Sequence, residues 1–221
     1  MRNKTGSFLL PTLLILVLLG AVLYLVPRYS FRIDVMLSRP TLSAVVRMDG
    51  DTYAAWGRIH NATDYQVFRR LPEEEWAALG SVGGDELLFI DSCGDEPYEY
   101  CVRAAYSEDG KVIACSDYSA AAAAVPAPEA LSVPVITGVV RTDEGIEISW
   151  EGVDDATSYQ VFRRAPGGDW TFLKAVAARN LSAVDDSAGD TAYRYAVRSM
   201  FSVGGKVLLH SSLSDGADIE G

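Results

Sequence analysis

The chain has 221 residues, a hydrophobic fraction of 49% and a formal net charge of −11. That balance excludes a nucleic-acid binder, because phosphate recognition draws on Lys and Arg clustered in a basic domain, whereas surplus carboxylate mainly keeps a surface soluble. Its cysteines, Cys93, Cys101 and Cys115, contain no Cys-x-x-Cys spacing, and His60 and His210 are too isolated to complete a zinc site.

In chain order, residues 1–7 form a short basic tail carrying Arg2 and Lys4. Residues 8–26 hold no charge and are broken only by Pro11, Thr12 and Gly20; as a helix they span about 28 Å, the thickness of a bilayer core. The run is longer than the apolar region of a signal peptide and lacks a small-x-small cleavage site near its end, so it reads as a retained signal anchor and one transmembrane helix. Residues 27–39 follow as a juxtamembrane stem, with Tyr29 and Phe31 suited to the interface. Arg2 and Lys4 on one side and Arg28, Arg32 and Arg39 on the other leave the orientation undecided by charge.

Beyond the stem the chain repeats itself. Tyr65-Gln66-Val67-Phe68-Arg69-Arg70 recurs as Tyr159-Gln160-Val161-Phe162-Arg163-Arg164, about 94 residues on, a period that fits a whole small domain. Around it Pro40 matches Pro134, Trp56 matches Trp150, Trp76 matches Trp170 and Asp91 matches Asp185. After a one-residue slip, Tyr98, Tyr100, Val102 and Arg103 match Tyr193, Tyr195, Val197 and Arg198, and Ser116 and Ser119 match Ser211 and Ser214. The copies run from 40 to 125 and from 134 to 221, with 126–133 as linker and Pro126-Ala127-Pro128-Glu129 as a short, stiff hinge. None of the cysteines has a counterpart in the second copy, where Ala196 and His210 stand opposite Cys101 and Cys115, so a shared disulfide framework is excluded. A bridge within the first copy and free thiols both stay open.

Within each copy, short runs of period two are broken by Gly, Asp, Pro and Asn every 8 to 12 residues or so, the pattern of an all-β sandwich. Gly145-Ile146-Glu147-Ile148-Ser149-Trp150 puts Ile146, Ile148 and Trp150 on one face; Tyr159 and Val161 share a face in the next strand.

The order Pro, a strand ending in Trp, Tyr-x-Val-x-Arg, Tyr-x-Tyr-x-Val, Gly-Lys and spaced serines resembles fibronectin type III domains, especially those of bacterial surface and secreted proteins. The resemblance covers nearly everything outside the membrane. It implies two tandem seven-stranded immunoglobulin-like sandwiches behind the transmembrane helix, with Trp56 and Trp150 on strand B and Tyr65 and Tyr159 on strand C. Tyr98 and Tyr193 become tyrosine-corner residues bonding back to the backbone, and Ala120–Ala124 and Asp215–Ile219 become strand G. It also implies display outside the cell and protein interaction or spacing, with no catalysis and no cofactor. The absence of Arg-Gly-Asp leaves integrin recognition without support.

A candidate binding face follows from the strand C alternation. With Tyr65 and Val67 inward, Phe68 and Arg70 face out, as do Phe162 and Arg164, and Arg103 and Arg198 on the neighbouring strand share that side. An aromatic flanked by Arg can bind a protein partner or stack on a sugar, so an accessory carbohydrate or cell-wall binding role is the alternative; Arg stems covering the ring is the purely structural one. The acidic clusters Glu73-Glu74-Glu75, Asp91 with Asp95-Glu96, and Asp185-Asp186 with Asp190 match no EF-hand loop and read as solvated turns. No nucleophile motif or phosphate-cradling loop is present.

Overall fold

The computed structural model describes residues 36–220; the basic tail, the anchor and all but the end of the stem lie outside the described residues. No helix among the described residues is long and apolar enough to cross a membrane. Both repeats fall within one compact unit, Leu37–Gly221.

The structure is all-β, and each repeat is a sandwich of seven principal strands. In the first, β1 (Leu42–Met48), β2 (Asp51–Trp56) and β5 (Leu88–Asp91) form one sheet. Strands β3 (Asp64–Arg70), β4 (Ala77–Gly83), β6 (Glu99–Glu108) and β7 (Lys111–Cys115) form the other, in the order β4-β3-β6-β7. Two short strands complete it: β8 (Ala122–Ala123) pairs with β6, and β9 (Val125–Pro126) runs parallel to β1. The second repeat pairs β10 (Ile136–Thr142), β11 (Gly145–Trp150) and β14 (Ser182–Asp185) in one sheet. Its other sheet holds β12 (Ser158–Arg164), β13 (Thr171–Ala177), β15 (Arg194–Val203) and β16 (Lys206–His210), in the order β13-β12-β15-β16.

The alternation of the hexapeptide produces the cores. Tyr65, Val67, Tyr159 and Val161 are fully buried, and on the next strand they stand opposite Ala104, Val102, Ser199 and Val197, which are buried in the same interior. The tryptophans that end β2 and β11 lie 5.3 and 5.4 Å from the rings of Tyr65 and Tyr159. Each large apolar side chain so buried contributes about 1.5–3 kcal/mol.

Two expectations from the family resemblance need correction. The tyrosines whose hydroxyls reach the backbone are those of strand C: the amides of Ile59 and Val153 donate to Tyr65 and Tyr159 at 2.7 Å. Tyr98 and Tyr193 instead lie just before β6 and β15 with their rings under Arg69 and Arg163. Strand G is also broken. Its first half is β7 or β16; Ala120–Ala124 supplies only the two residues of β8, and Asp215–Ile219 only a bridge between Tyr195 and Ala217.

Between these halves the repeated serines act for the missing strand. Ser116 and Ser119 Oγ accept from the amides of Ala104 and Val102 at 3.0 and 3.1 Å, and Ser211 and Ser214 do the same for Ser199 and Val197. A buried amide must find an acceptor, and a short hydroxyl side chain supplies it where the backbone has turned away.

The repeats are joined by more than the linker. The amide of Ala127 donates to the Arg47 carbonyl at 2.8 Å, which fastens the start of the linker to β1. The β15–β16 hairpin of the second repeat then packs on the outer face of the first repeat's β1-β2-β5 sheet, where Val203, Phe201 and Leu208 join Val46, Tyr53, Ala55 and Leu88 in one apolar cluster. Gly204 makes the close approach possible: its φ is +56°, and a Cβ there would stand 2.9 Å from Leu88 Cβ. The Lys206 ammonium lies 5.1 Å from the Tyr53 ring centroid.

Each copy is adapted to its side of this junction. The outer face that carries Tyr53 and Ala55 on β2 carries Glu147 and Ser149 on β11, and the tip that reads Val203-Gly204 in the second repeat reads Glu108-Asp109 in the first.

Candidate functional site

The outer faces of the β4-β3-β6-β7 and β13-β12-β15-β16 sheets bring the expected residues together within each repeat. Phe68 and Phe162 are half-buried because Arg103 and Arg198 lie over them, with guanidinium carbons 5.5 and 5.2 Å from the ring centroids. Those arginines are held in place by Gln66 and Gln160, whose amide oxygens accept from Nε at 2.8 and 2.9 Å. Further along, Arg70 lies 4.5 Å from the centroid of Trp76, and Arg164 lies 4.7 Å from that of Trp170. Each face is thus a ladder in which arginines and aromatic rings alternate, and the arginine stems shield much of the apolar surface.

Aromatic neighbours that the strand C alternation does not point to enlarge each ladder differently. In the first repeat Tyr118 meets Phe68 edge-on at 5.1 Å, and Arg103 lies 5.1 Å from its ring as well. In the second, Phe172 of β13 meets Phe162 at 5.8 Å and is 56% exposed. The charge also differs, since Arg70 pairs with Glu99 at 2.9 Å whereas Arg164 stands opposite Arg194, which turns to Asp218 at 3.0 Å. The second face is therefore the more cationic.

The inward half of the hexapeptide carries a charged residue too. Arg69 and Arg163 share the parity of Tyr65, Val67, Tyr159 and Val161, and each meets an aspartate of the facing sheet at 2.6 Å, Asp91 ending β5 and Asp185 ending β14. Tyr100 and Tyr195 donate to the same carboxylates at 2.8 and 2.9 Å. The reading of these aspartates as solvated turns is corrected here: Asp185 is fully buried, and Asp91 is mostly covered.

In that setting burial would raise the pKa of Asp185, but donors from Arg163, Ser187 and Tyr195 outweigh it and hold the carboxyl below its ordinary value. Burial, with the neighbouring carboxylate, pushes the Tyr195 hydroxyl up. Burial likewise raises Tyr100, whose next neighbour is Cys93. Cys93 takes the position of Ser187 in this network, with its sulfur 3.2 Å from the Tyr100 oxygen. Carboxylates so engaged are structural, and among the described residues no group of three or more His, Cys, Asp or Glu is placed to hold a metal ion.

The three thiols are free. Cys101, opposite Phe68 on β6, is buried under the first ladder, and burial pushes its pKa up to about 11 against the pull of Arg70 and Arg103.

No family model and no curated protein matches the sequence. Among solved structures the chain is similar to the crystal structure of chicken CNTN1 FN1-FN3 domains, at 19% identity over 82% of this chain and 66% of that one, with a TM-score of 0.45. It is similar also to the two fibronectin type-III domain segment from chicken tenascin, at 13% identity over 82% of this chain and 99% of that one, with a TM-score of 0.32.

Proposed function

We propose that the chain is a non-catalytic interaction and spacing protein: two fibronectin type III-like modules, held outside the cell behind the anchor of residues 8–26, presenting two Arg–aromatic faces to a protein partner. The observation that carries this reading is the apolar junction between the repeats, where Val203, Phe201 and Leu208 cover Val46, Tyr53 and Ala55. A flexible tether needs no such contact, whereas a spacer gains from it because the two faces then keep one relative placement. Arg103 over Phe68 and Arg198 over Phe162 favour a protein partner over a glycan, since a sugar ring needs the aromatic face that each guanidinium now covers.

Spin labels on the two outer faces, at Ser81 and Ala175, test the spacing role by a distance measurement. One narrow distribution is expected; a broad one would overturn it. Proteolysis of intact cells tests display, and protection of both repeats would place them inside. Retention on purified cell-wall glycan, lost in a Phe68→Ala, Phe162→Ala double variant, would shift the reading to carbohydrate binding.

A further inference from the structure

The two copies differ at one edge strand. Strands β4 and β13 occupy the same place at the edge of their sheets, hydrogen-bonded on one side only, to β3 and β12. Both carry an extra residue opposite the step from Val to Phe in the hexapeptide, and Leu79 and Leu173 turn into the cores there. That bulge leaves residue 78 facing Phe68 and residue 172 facing Phe162. In the second repeat the edge is filled: Phe172 seats its ring against Phe162, and the Lys174 ammonium crosses to the Val184 carbonyl of β14. In the first repeat the same positions are Ala78 and Gly80.

What remains is a groove of about 360 Å³ lined by Gln66, Phe68, Ala78, Gly80, Ser81 and Arg103. Its volume falls within the ~300–1,000 Å³ typical of binding clefts. Edge strands are commonly blunted by a charge, most often Lys, yet Ala77 to Gly84 carries none. An open, uncharged edge beside a vacated aromatic seat is the geometry in which an added strand places its own aromatic over the small residue of its neighbour.

Charge selects the occupant. Turns rich in carboxylates flank β4, with Glu73, Glu74 and Glu75 before it and Asp85 and Glu86 after it; of these Asp85 is met by Arg58 at 2.8 Å. A second copy adding antiparallel at this edge would set acidic turn against acidic turn. A segment with basic residues on either side of an aromatic would face opposite charge at both ends.

We propose that β4 receives an extended peptide segment of a protein partner as an added strand, with an aromatic side chain in the seat over Phe68 and Lys or Arg toward the flanking acidic turns. This rests on the reading of the outer faces as interaction surfaces, and the test separates the two. A displayed library of random nonapeptides is selected on the full chain in detergent, and selected peptides are titrated against wild type and Ala78→Phe, a variant that installs what the second repeat already carries. Enriched peptides share an aromatic with Lys or Arg on each side, bind Ala78→Phe at least tenfold more weakly, and slow hydrogen exchange of the Ala77–Gly83 amides in wild type, while the melting temperature of the variant is unchanged.

Peptides that bind both chains equally would overturn the groove and leave the outer faces standing; no enrichment of any peptide would count against both. A concentration-dependent dimer abolished by Ala78→Phe would assign the edge to a second copy instead. Binding that appears only after residues 28–35 are deleted would assign it to the chain's own Arg28-Tyr29-Ser30-Phe31-Arg32.

Discussion

The Arg163 guanidinium meets Asp185 at 2.6 Å although the carboxylate has no exposed side-chain surface, and Tyr195 and Ser187 fill its remaining lone pairs. The pair links β12 to the end of β14, so it ties the two sheets of the second sandwich together. Asp185→Ala would leave a guanidinium and a phenol facing an apolar gap. We expect a loss of about 3–5 kcal/mol by urea denaturation, the usual effect of removing one partner from a buried pair. Asp91→Ala removes the more exposed equivalent and should cost less. An equal loss at both sites would show that burial is not what sets the energy.

The same carboxylate fixes a pH dependence. Because the folded pKa of Asp185 lies below its ordinary 3.8, its contribution is whole above about pH 4 and declines as pH falls through the lower folded value. Thermal melts of wild type between pH 6 and 2 should show this loss, and Asp185→Asn should be weaker at neutral pH with a flatter acid limb. Parallel acid limbs would remove Asp185 from the explanation.

The serine acceptors can be tested singly. Ser214→Ala leaves the buried amide of Val197 without its side-chain acceptor, and Ser119→Ala does the same to Val102. A loss of about 1–3 kcal/mol each is expected. If these amides exchange no faster in the alanine variants, the hydroxyls are bystanders.

How far the sequence reaches is clearest at the hexapeptide. Alternation alone sorts Tyr65, Val67 and Phe68 onto their faces, since apolar burial dictates parity and parity is local. Arg69 defeats that rule, because a charge at an inward position is stable only through Asp91, which arrives from the other sheet and in sequence resembles any acidic turn. The placing of Phe68 and Arg103 beside each other was legible from strand order; Tyr118 and Phe172 were not, because Tyr118 reaches Phe68 from the segment between β7 and β8, and Phe172 reaches Phe162 from β13. The junction left one readable trace: Tyr53 and Ala55 break the alternation that Glu147 and Ser149 keep in β11. A strand apolar on both faces has something covering each of them.

At that junction Gly204 is the point of least tolerance. Gly204→Val would force a branched side chain into a left-handed backbone and against Leu88 and Ala55. We expect the hairpin to lift from β2 and the radius of gyration by small-angle scattering to rise, with each sandwich still folded. An unchanged radius would mean that the linker alone sets the geometry.

Thiol chemistry should separate the cysteines. Cys115 is exposed, whereas Cys101 is buried with its pKa near 11. Maleimide at pH 7 should modify Cys115 at once and Cys101 only on unfolding. Rapid modification of both would mean that the arginine and aromatic ladder opens readily in solution.

A hairpin tip seated on a different surface of its neighbour is a head-to-tail contact, and such contacts propagate into open filaments unless something stops them. Here the stops are built into the duplicated sequence: the spare tip on the first repeat ends in Glu108-Asp109, and the spare sheet on the second presents Glu147. Divergence at a handful of positions has made one copy a plug and the other a socket, so copies of the chain can crowd side by side without chaining together through this joint.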